Sequence, residues 1–298
     1  MFNKVVVGVD QRLGGREAIA LAKLLVAKGG ELTLAYVYHG DPYVSRESSP
    51  PYDASESERA RELLEEARDE AGIEAQLRWQ GSPGVGRGLH ELAELIDADL
   101  LVVGSSRRGL LGRVLLADDT RAALNGAPCA VAIAPAGYAP HAAGIREVGV
   151  GYNGSPESEH ALKVARMLAA EHGAKLSALE TVTIPEYVLA AGPEAPEERL
   201  ESVVDDARTQ IAAQGDVEPH VVYGHPVEEL ALFSASTDLL VVGSRSYGPI
   251  GRLIHGSTSL RLARNARCPL LVLTRAARAA ETRSTSTDAE GAKVAAGT

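Results

Sequence analysis

Apolar positions along the chain fall into short unbroken runs separated by amphipathic stretches. VVVGV at 5–9 is brief, β-branched and free of polar residues, as a strand covered on both faces requires. The next stretch, 14–28, carries Ala18, Leu21 and Leu25 at helical spacing, with Gly29 placed to close the helix. ELTLAYVY then reads as a strand, SESERARELLEEARDEAG as an exposed charged helix, IEAQLRW as a strand and LHELAELID as a helix. LLVVG follows as a strand, then a loop with a helix, then AVAIA as the last strand. Five strands alternating with four helices predict an α/β fold with a parallel, doubly wound sheet.

The chain then repeats this pattern. VVVGVDQR at 5–12 matches VGVGYNGS at 148–155, pairing Gly8 with Gly151 and Asp10 with Asn153 at an offset of 143. QGSP at 80–83 and YGHP at 223–226 keep that offset, whereas DADLLVVGSSRRG at 97–109 and STDLLVVGSRSYG at 236–248 stand 139 apart. The four-residue difference falls on GVGRG at 84–88, which is expected to be a flexible loop insertion. GVGRG imitates a dinucleotide fingerprint, but its spacing is wrong and it follows no first strand. The duplication predicts two domains, 1–137 and 145–274, joined by the Pro-, Gly- and Ala-rich connector PAGYAPHAAG. In the second copy Ser155 is placed to cap the first helix, with Pro156 at its first position. Residues 275–298 have no apolar periodicity and read as a disordered tail.

Composition narrows the classes. Apolar residues make up 45% but aromatics only 4%, so the cores must be built from Val, Leu, Ile and Ala. A net charge of −10 argues against wrapping nucleic acid, which needs clustered cations. No apolar run is long enough to cross a membrane. MFNKVVVGVD runs straight into a strand, without the basic head and cleavage site of a signal peptide, so the expected location is cytoplasmic. Two cysteines, Cys129 and Cys268, are too few for a disulfide framework and read as buried small hydrophobes. The histidines have no metal spacing, and His225 and His255 read as loop residues. Trp79 is expected to pack under the GVGRG loop. Arg61 stands four residues before Glu65, and Glu65 three before Arg68, as solvated pairs worth only tenths of a kcal/mol.

The chemistry is concentrated beyond two strand ends. In open α/β sheets, ligands bind outside the carboxyl ends of the strands, where strand order reverses. Asp10 and Gly104 would share that crevice in the first copy, Asn153 and Gly243 in the second. The second copy reads GSRSYGPIGRLIHGSTS over 243–259. Gly243 is expected to let a ligand approach the backbone, with Ser244, Arg245 and Ser246 beside it. Gly256, Ser257, Thr258 and Ser259 sit where the next helix begins, so free N–H groups, the helix dipole and hydroxyls together form an anion seat. The first copy, GSSRRGLLGRVLLADDT, ends instead in Asp118 and Asp119. These carboxylates either face the seat or start the helix as N-cap residues. Both readings leave that seat without a Gly-Ser corner.

On these residues the chain resembles the universal stress proteins, of the tandem two-domain kind, over 3–274. Nucleotide-binding members carry Gly, two residues, Gly, nine residues, Gly, then Ser or Thr. That frame falls on Gly243, Ser246, Gly256 and Ser257 in the second copy, and on Gly104, Arg107, Ala117 and Asp118 in the first. The family's Asp at the end of strand one, near ribose and adenine, is Asp10 in copy one but Asn153 in copy two. The resemblance implies strand order 3-2-1-4-5 in each domain and pairing of the domains through their fifth strands. It implies a stress-response protein binding an adenine nucleotide, ATP with magnesium, mainly in the C-terminal domain, with the first site weak or dead. A homodimer is compatible with it. No nucleophile–base pair or metal cluster argues for fast chemistry, which leaves at most slow ATP hydrolysis. A scaffold of the same fold that binds no nucleotide is the competing reading, favoured by the departures from the frame in both copies. A true enzyme of the wider adenine-nucleotide α-hydrolase group is the third.

Overall fold

The computed structural model describes residues 1–10, 14–40, 50–105, 118–182, 197–244 and 257–274. In chain order the first half holds β1 (Phe2–Gly8), α1 (Gly14–Leu25), β2 (Val26–His39), α2 (Pro50–Ala71), β3 (Gln76–Ser82), α3 (Val85–Leu95), β4 (Leu100–Gly104), α4 (Asp118–Leu124) and β5 (Ala130–Ala134). After a 3-10 turn at Ala139–His141 come β6 (Glu147–Gly151), α5 (Pro156–His172), β7 (Lys175–Val182), α6 (Glu197–Ala212), β8 (Glu218–Tyr223), α7 (Pro226–Phe233), β9 (Leu239–Gly243), α8 (Ser257–Asn265) and β10 (Leu270–Leu273). The tail at 275–298 lies outside the described residues.

All ten strands form one mixed sheet, in the order β3-β2-β1-β4-β5-β10-β9-β6-β7-β8. Each half therefore runs 3-2-1-4-5, and every pairing within a half is parallel. The halves meet antiparallel at the centre, with Val131 opposite Val272 and Ile133 opposite Leu270. Thr274 closes the ladder by donating its hydroxyl to the Cys129 carbonyl at 3.0 Å. Both seam strands are fully covered, so the run AVAIA lacks the alternation of a half-exposed strand. The outermost strand β8 contains Pro219, tolerated because an edge has one unused hydrogen-bonding side.

Helices cover both faces of the sheet. One core lies under α1, α2, α5 and α6, with Leu21, Leu25, Leu64, Leu168 and Ile211 at its centre. The other lies under α3, α4, α7 and α8, with Leu92, Leu124, Leu230 and Leu262. Ala18, Leu21 and Leu25 are all fully buried, as their spacing requires.

Three local expectations need correction. Helix α1 stops at Leu25, and residues 26–28 belong to β2, whose register against β1 slips between Phe2 and Lys4. Gly29 still adopts a left-handed φ of 84°, but it turns the irregular start of the strand. GVGRG is not a loop: it is the start of α3. A Cβ on Gly86 would fall 2.5 Å from the Ala122 carbonyl carbon, and one on Gly88 2.6 Å from a Val37 methyl. Both glycines are there for close packing on α4 and β2. The insertion lengthens the helix, eleven residues in α3 against eight in α7, by about one turn. Trp79 packs under α2 instead of GVGRG, donating its indole N–H to the Ser57 hydroxyl at 2.7 Å.

The cysteines and the charged pairs of α2 can be compared directly with the sequence reading. Cys129 and Cys268 are buried, and desolvation pushes their thiols up to about 12 and about 11. Arg61 pairs with Glu65 at 2.8 Å on the exposed side of α2, whereas Arg68 turns to Asp69. Among the described residues no helix is long and apolar enough to cross a membrane.

Candidate functional site

The strand register gathers the candidate residues. β1 and β4 are paired up to Val7 and Val102, and Asp10 and Ser105 each follow three residues beyond that last pair. β6 and β9 are paired up to Val150 and Val241, with Tyr152 and Asn153 following on one strand and Gly243 and Ser244 on the other. Each half thus has a mouth between its first and fourth strands. The serines are structural floors: Ser105 donates its N–H to Ala134, and Ser244 donates to Leu273, both across to the fifth strand. Both serines are buried.

At the first mouth, α4 is tied to the strand below it. Thr120, in its first turn, donates its hydroxyl to the Gly104 carbonyl at 2.9 Å. Asp118 and Asp119 begin this helix, where carboxylates are favoured by the dipole. At the second mouth α8 begins Ser257, Thr258, Ser259. Ser259, the counterpart of Thr120 at an offset of 139, is buried, and Thr258 is half-buried. Arg245, Ser246 and Gly256, with Arg107, Ala117 and His255, lie outside the described residues.

Two second-mouth residues have local duties that sequence reasoning missed. The Asn153 Oδ1 accepts the Ser155 N–H at 3.2 Å and the Ser155 hydroxyl at 2.6 Å. A backbone N–H only donates, so this atom is the oxygen, and the amide NH2 is what Asn153 has left to offer. Ser155 in turn caps α5, accepting from the Ser158 N–H. Gly154, between them, has a φ of 68° that favours glycine. The missing side chain of Gly243 is matched by protein: a Cβ there would fall 2.6 Å from the Glu157 carbonyl carbon. Its first use is to seat the opening turn of α5 on the end of β9. Close ligand approach was the expected use.

The second mouth also has an acid one strand over. Glu180, on β7, stands beside Tyr152 on the α5–α6 side of the sheet; continuing the register puts Val9 and Tyr36 in these places in the first repeat. One Glu180 carboxylate oxygen is buried with no hydrogen-bond partner. Burial pushes its carboxyl above the usual range. The Tyr152 phenol is raised too, first by burial, then by Glu159 and Glu180. His225 is the exposed residue preceding α7, and its carbonyl accepts from Glu228 and Glu229. No grouping of His, Cys, Asp or Glu that could hold a metal occurs among the described residues.

Two further acids organise the frame. Asp99 accepts the Asn3 and Lys4 amides, and Asp238 accepts those of Arg146 and Glu147, pinning the start of β1 and β6. The repeated Asp of DLLVVG was the signal for both. Glu17, buried in the first turn of α1, accepts the Gly137 N–H at 2.9 Å and also the Ala139 N–H. It clamps the connector between the repeats, and nothing in the local sequence announces it.

Two α/β units of strand order 3-2-1-4-5, each with a reversal point between its first and fourth strands, define a tandem doubly wound protein. A profile of the universal stress protein family matches residues 1–135 and again 144–274. A universal stress protein of Mycobacterium tuberculosis is 28% identical over 287 residues, covering 90% of this chain and 96% of the relative. One from Thermus aquaticus is 31% identical over 131 residues, covering 41% of this chain and 93% of the relative. Among solved structures, a universal stress protein from Archaeoglobus fulgidus superposes with a TM-score of 0.65 at 21% identity, covering 92% of this chain and 98% of that one. The chain belongs to the universal stress protein family.

Proposed function

We propose that this chain is a cytoplasmic stress-response module that binds an adenine nucleotide, ATP with magnesium, chiefly at the C-terminal mouth. The observation that carries this reading is the contrast between the two helices over the strand ends. α8 opens with three hydroxyl residues, α4 with two carboxylates. Ser257, Thr258 and Ser259, with Gly256 and Ser246 of the sequence frame, would hold the phosphates. The Asn153 amide NH2 would meet a ribose oxygen. The donor set fits an anion: hydroxyls and helix-start amides without an opposing carboxylate in that turn. Binding would bias a conformation or a partner contact, with turnover at most slow. The two domains, 1–137 and 145–274, would act as one body through the fifth-strand seam, and a homodimer is compatible with this arrangement.

The first mouth should bind weakly. Two unit charges about 4 Å apart interact by about 4 kcal/mol at an effective dielectric near 20. Half of that repulsion between Asp118 and a phosphate is more than tenfold in affinity.

The second reading is a scaffold that binds no nucleotide. It is favoured by Asn153 and Gly243, whose contacts serve the fold without any ligand. Denaturing the purified chain and analysing what it releases separates the two. Adenine nucleotide near one per chain, lost in Ser257→Asp, supports binding. No released nucleotide, together with no calorimetric heat on adding ATP and magnesium, leaves the scaffold.

A further inference from the structure

A second cavity lies away from both mouths. It occupies about 360 Å³ between α1, α2 and the connector, within the range of small-ligand pockets. The space exists because five alanines line it: Ala20 on α1, Ala67 and Ala71 on α2, and Ala139 and Ala142 on the connector. At an offset of 143, the second repeat carries Lys163, Gln210 and Gln214 where the first has Ala20, Ala67 and Ala71. Matching bonds anchor that alignment: Lys23 donates to the Ala71 carbonyl, and its counterpart Arg166 to the Gln214 carbonyl. The hollow is thus built by small residues that the other copy replaces with long ones.

Its walls are held in place. Arg16 links α1 to α2 by two bonds to Glu70, at 3.0 and 2.7 Å. Glu17 fastens the connector. From the second repeat, the His172 ring bonds the Leu24 carbonyl at 2.9 Å. A cavity with pinned walls is preorganised for an occupant. Its charge is uneven. Arg16 is spent on Glu70, whereas Lys23 makes no ion pair among the described residues and donates a 3.4 Å bond to the Ala71 carbonyl. Beside it, Ile19 and Leu24 add apolar wall.

We propose that this cavity binds a small amphiphilic monoanion, a carboxylate with a short apolar tail. The tail lies along Ile19, Ala20 and Ala67, and the carboxylate meets the Lys23 ammonium. An occupant there touches α1, α2 and the connector together, and so stiffens the joint between the repeats. The proposal shares no residue with either mouth, and either outcome of its test leaves the nucleotide reading untouched.

The test is calorimetric titration of the full chain with sodium octanoate, and with octylammonium as the charge-reversed probe. One octanoate per chain is expected. Lys23→Glu should weaken it at least about tenfold, and octylammonium should bind far more weakly than octanoate. Ala20→Trp and Ala142→Phe fill the cavity from opposite walls and should each abolish binding; if one fails to fold, by circular dichroism, the other decides. Absence of saturable octanoate binding overturns the proposal. So does equal binding of octylammonium, or wild-type affinity in a folded cavity-filling variant.

Discussion

The two repeats share a backbone plan but spend their polar residues differently. The first invests in its exterior joints: Arg16 on Glu70, and Glu17 on the connector. At the corresponding positions the second has Glu159, Ala213 and His160. The second invests at its mouth: Asn153 and Ser155 build a capped turn, that turn seats on Gly243, and Glu180 takes the place of Tyr36. One copy thus carries the fastening, and the other the capped turn at its mouth. Equivalent positions in a repeat therefore cannot be assigned equivalent roles from alignment alone.

The largest expected effect probes the seat of α5. Gly243→Ala should cost about 3 kcal/mol, since its Cβ would overlap Glu157 backbone. Gly151→Ala meets only Leu230 and Val242 side-chain atoms at 3.2 Å or more and should cost about 1 kcal/mol. Urea midpoints measure both; equal losses would contradict the close seating. Next, Glu17→Ala leaves two connector amides without their acceptor and should cost about 2 kcal/mol. Limited proteolysis should then cut near Gly137, while wild type resists.

The contrast between mouths can also be inverted. Asp118→Ser should raise ATP affinity at the first mouth roughly tenfold, by removing a repelling charge; an unchanged calorimetric profile would mean the aspartate serves the helix only. The smallest effect is on pH dependence. A carboxyl whose folded pKa is raised binds more protons folded than unfolded, so stability falls as pH rises from about 4.3 through the folded value. Glu180→Gln should therefore be more stable than wild type at neutral pH, an advantage that fades as pH falls through about 4.3. Chemical denaturation at the two pH values checks the sign.

The fold was legible because its signals are local and doubled. LLVVG and VVVGV are buried on both faces and read so directly, and the repeat offset exposed the duplication. The start of α3 was misread because Gly86 and Gly88 are poor helix formers; packing against Ala122 and Val37 overrides that preference. At the site, the strand order alone sets Asn153 and Gly243 near the ends of neighbouring strands, but the packing use of Gly243 was not legible, since Glu157 meets it from 86 positions away in the chain. Glu17 is subtler still, its partner lying 120 residues on. Glu180 showed only as ALET standing where the first copy reads LAYV.

The antiparallel join of β5 and β10 has one more consequence. Strands within each half point the same way, and the halves point opposite ways. The two crevices therefore open on opposite edges of the molecule, and no single small molecule reaches both.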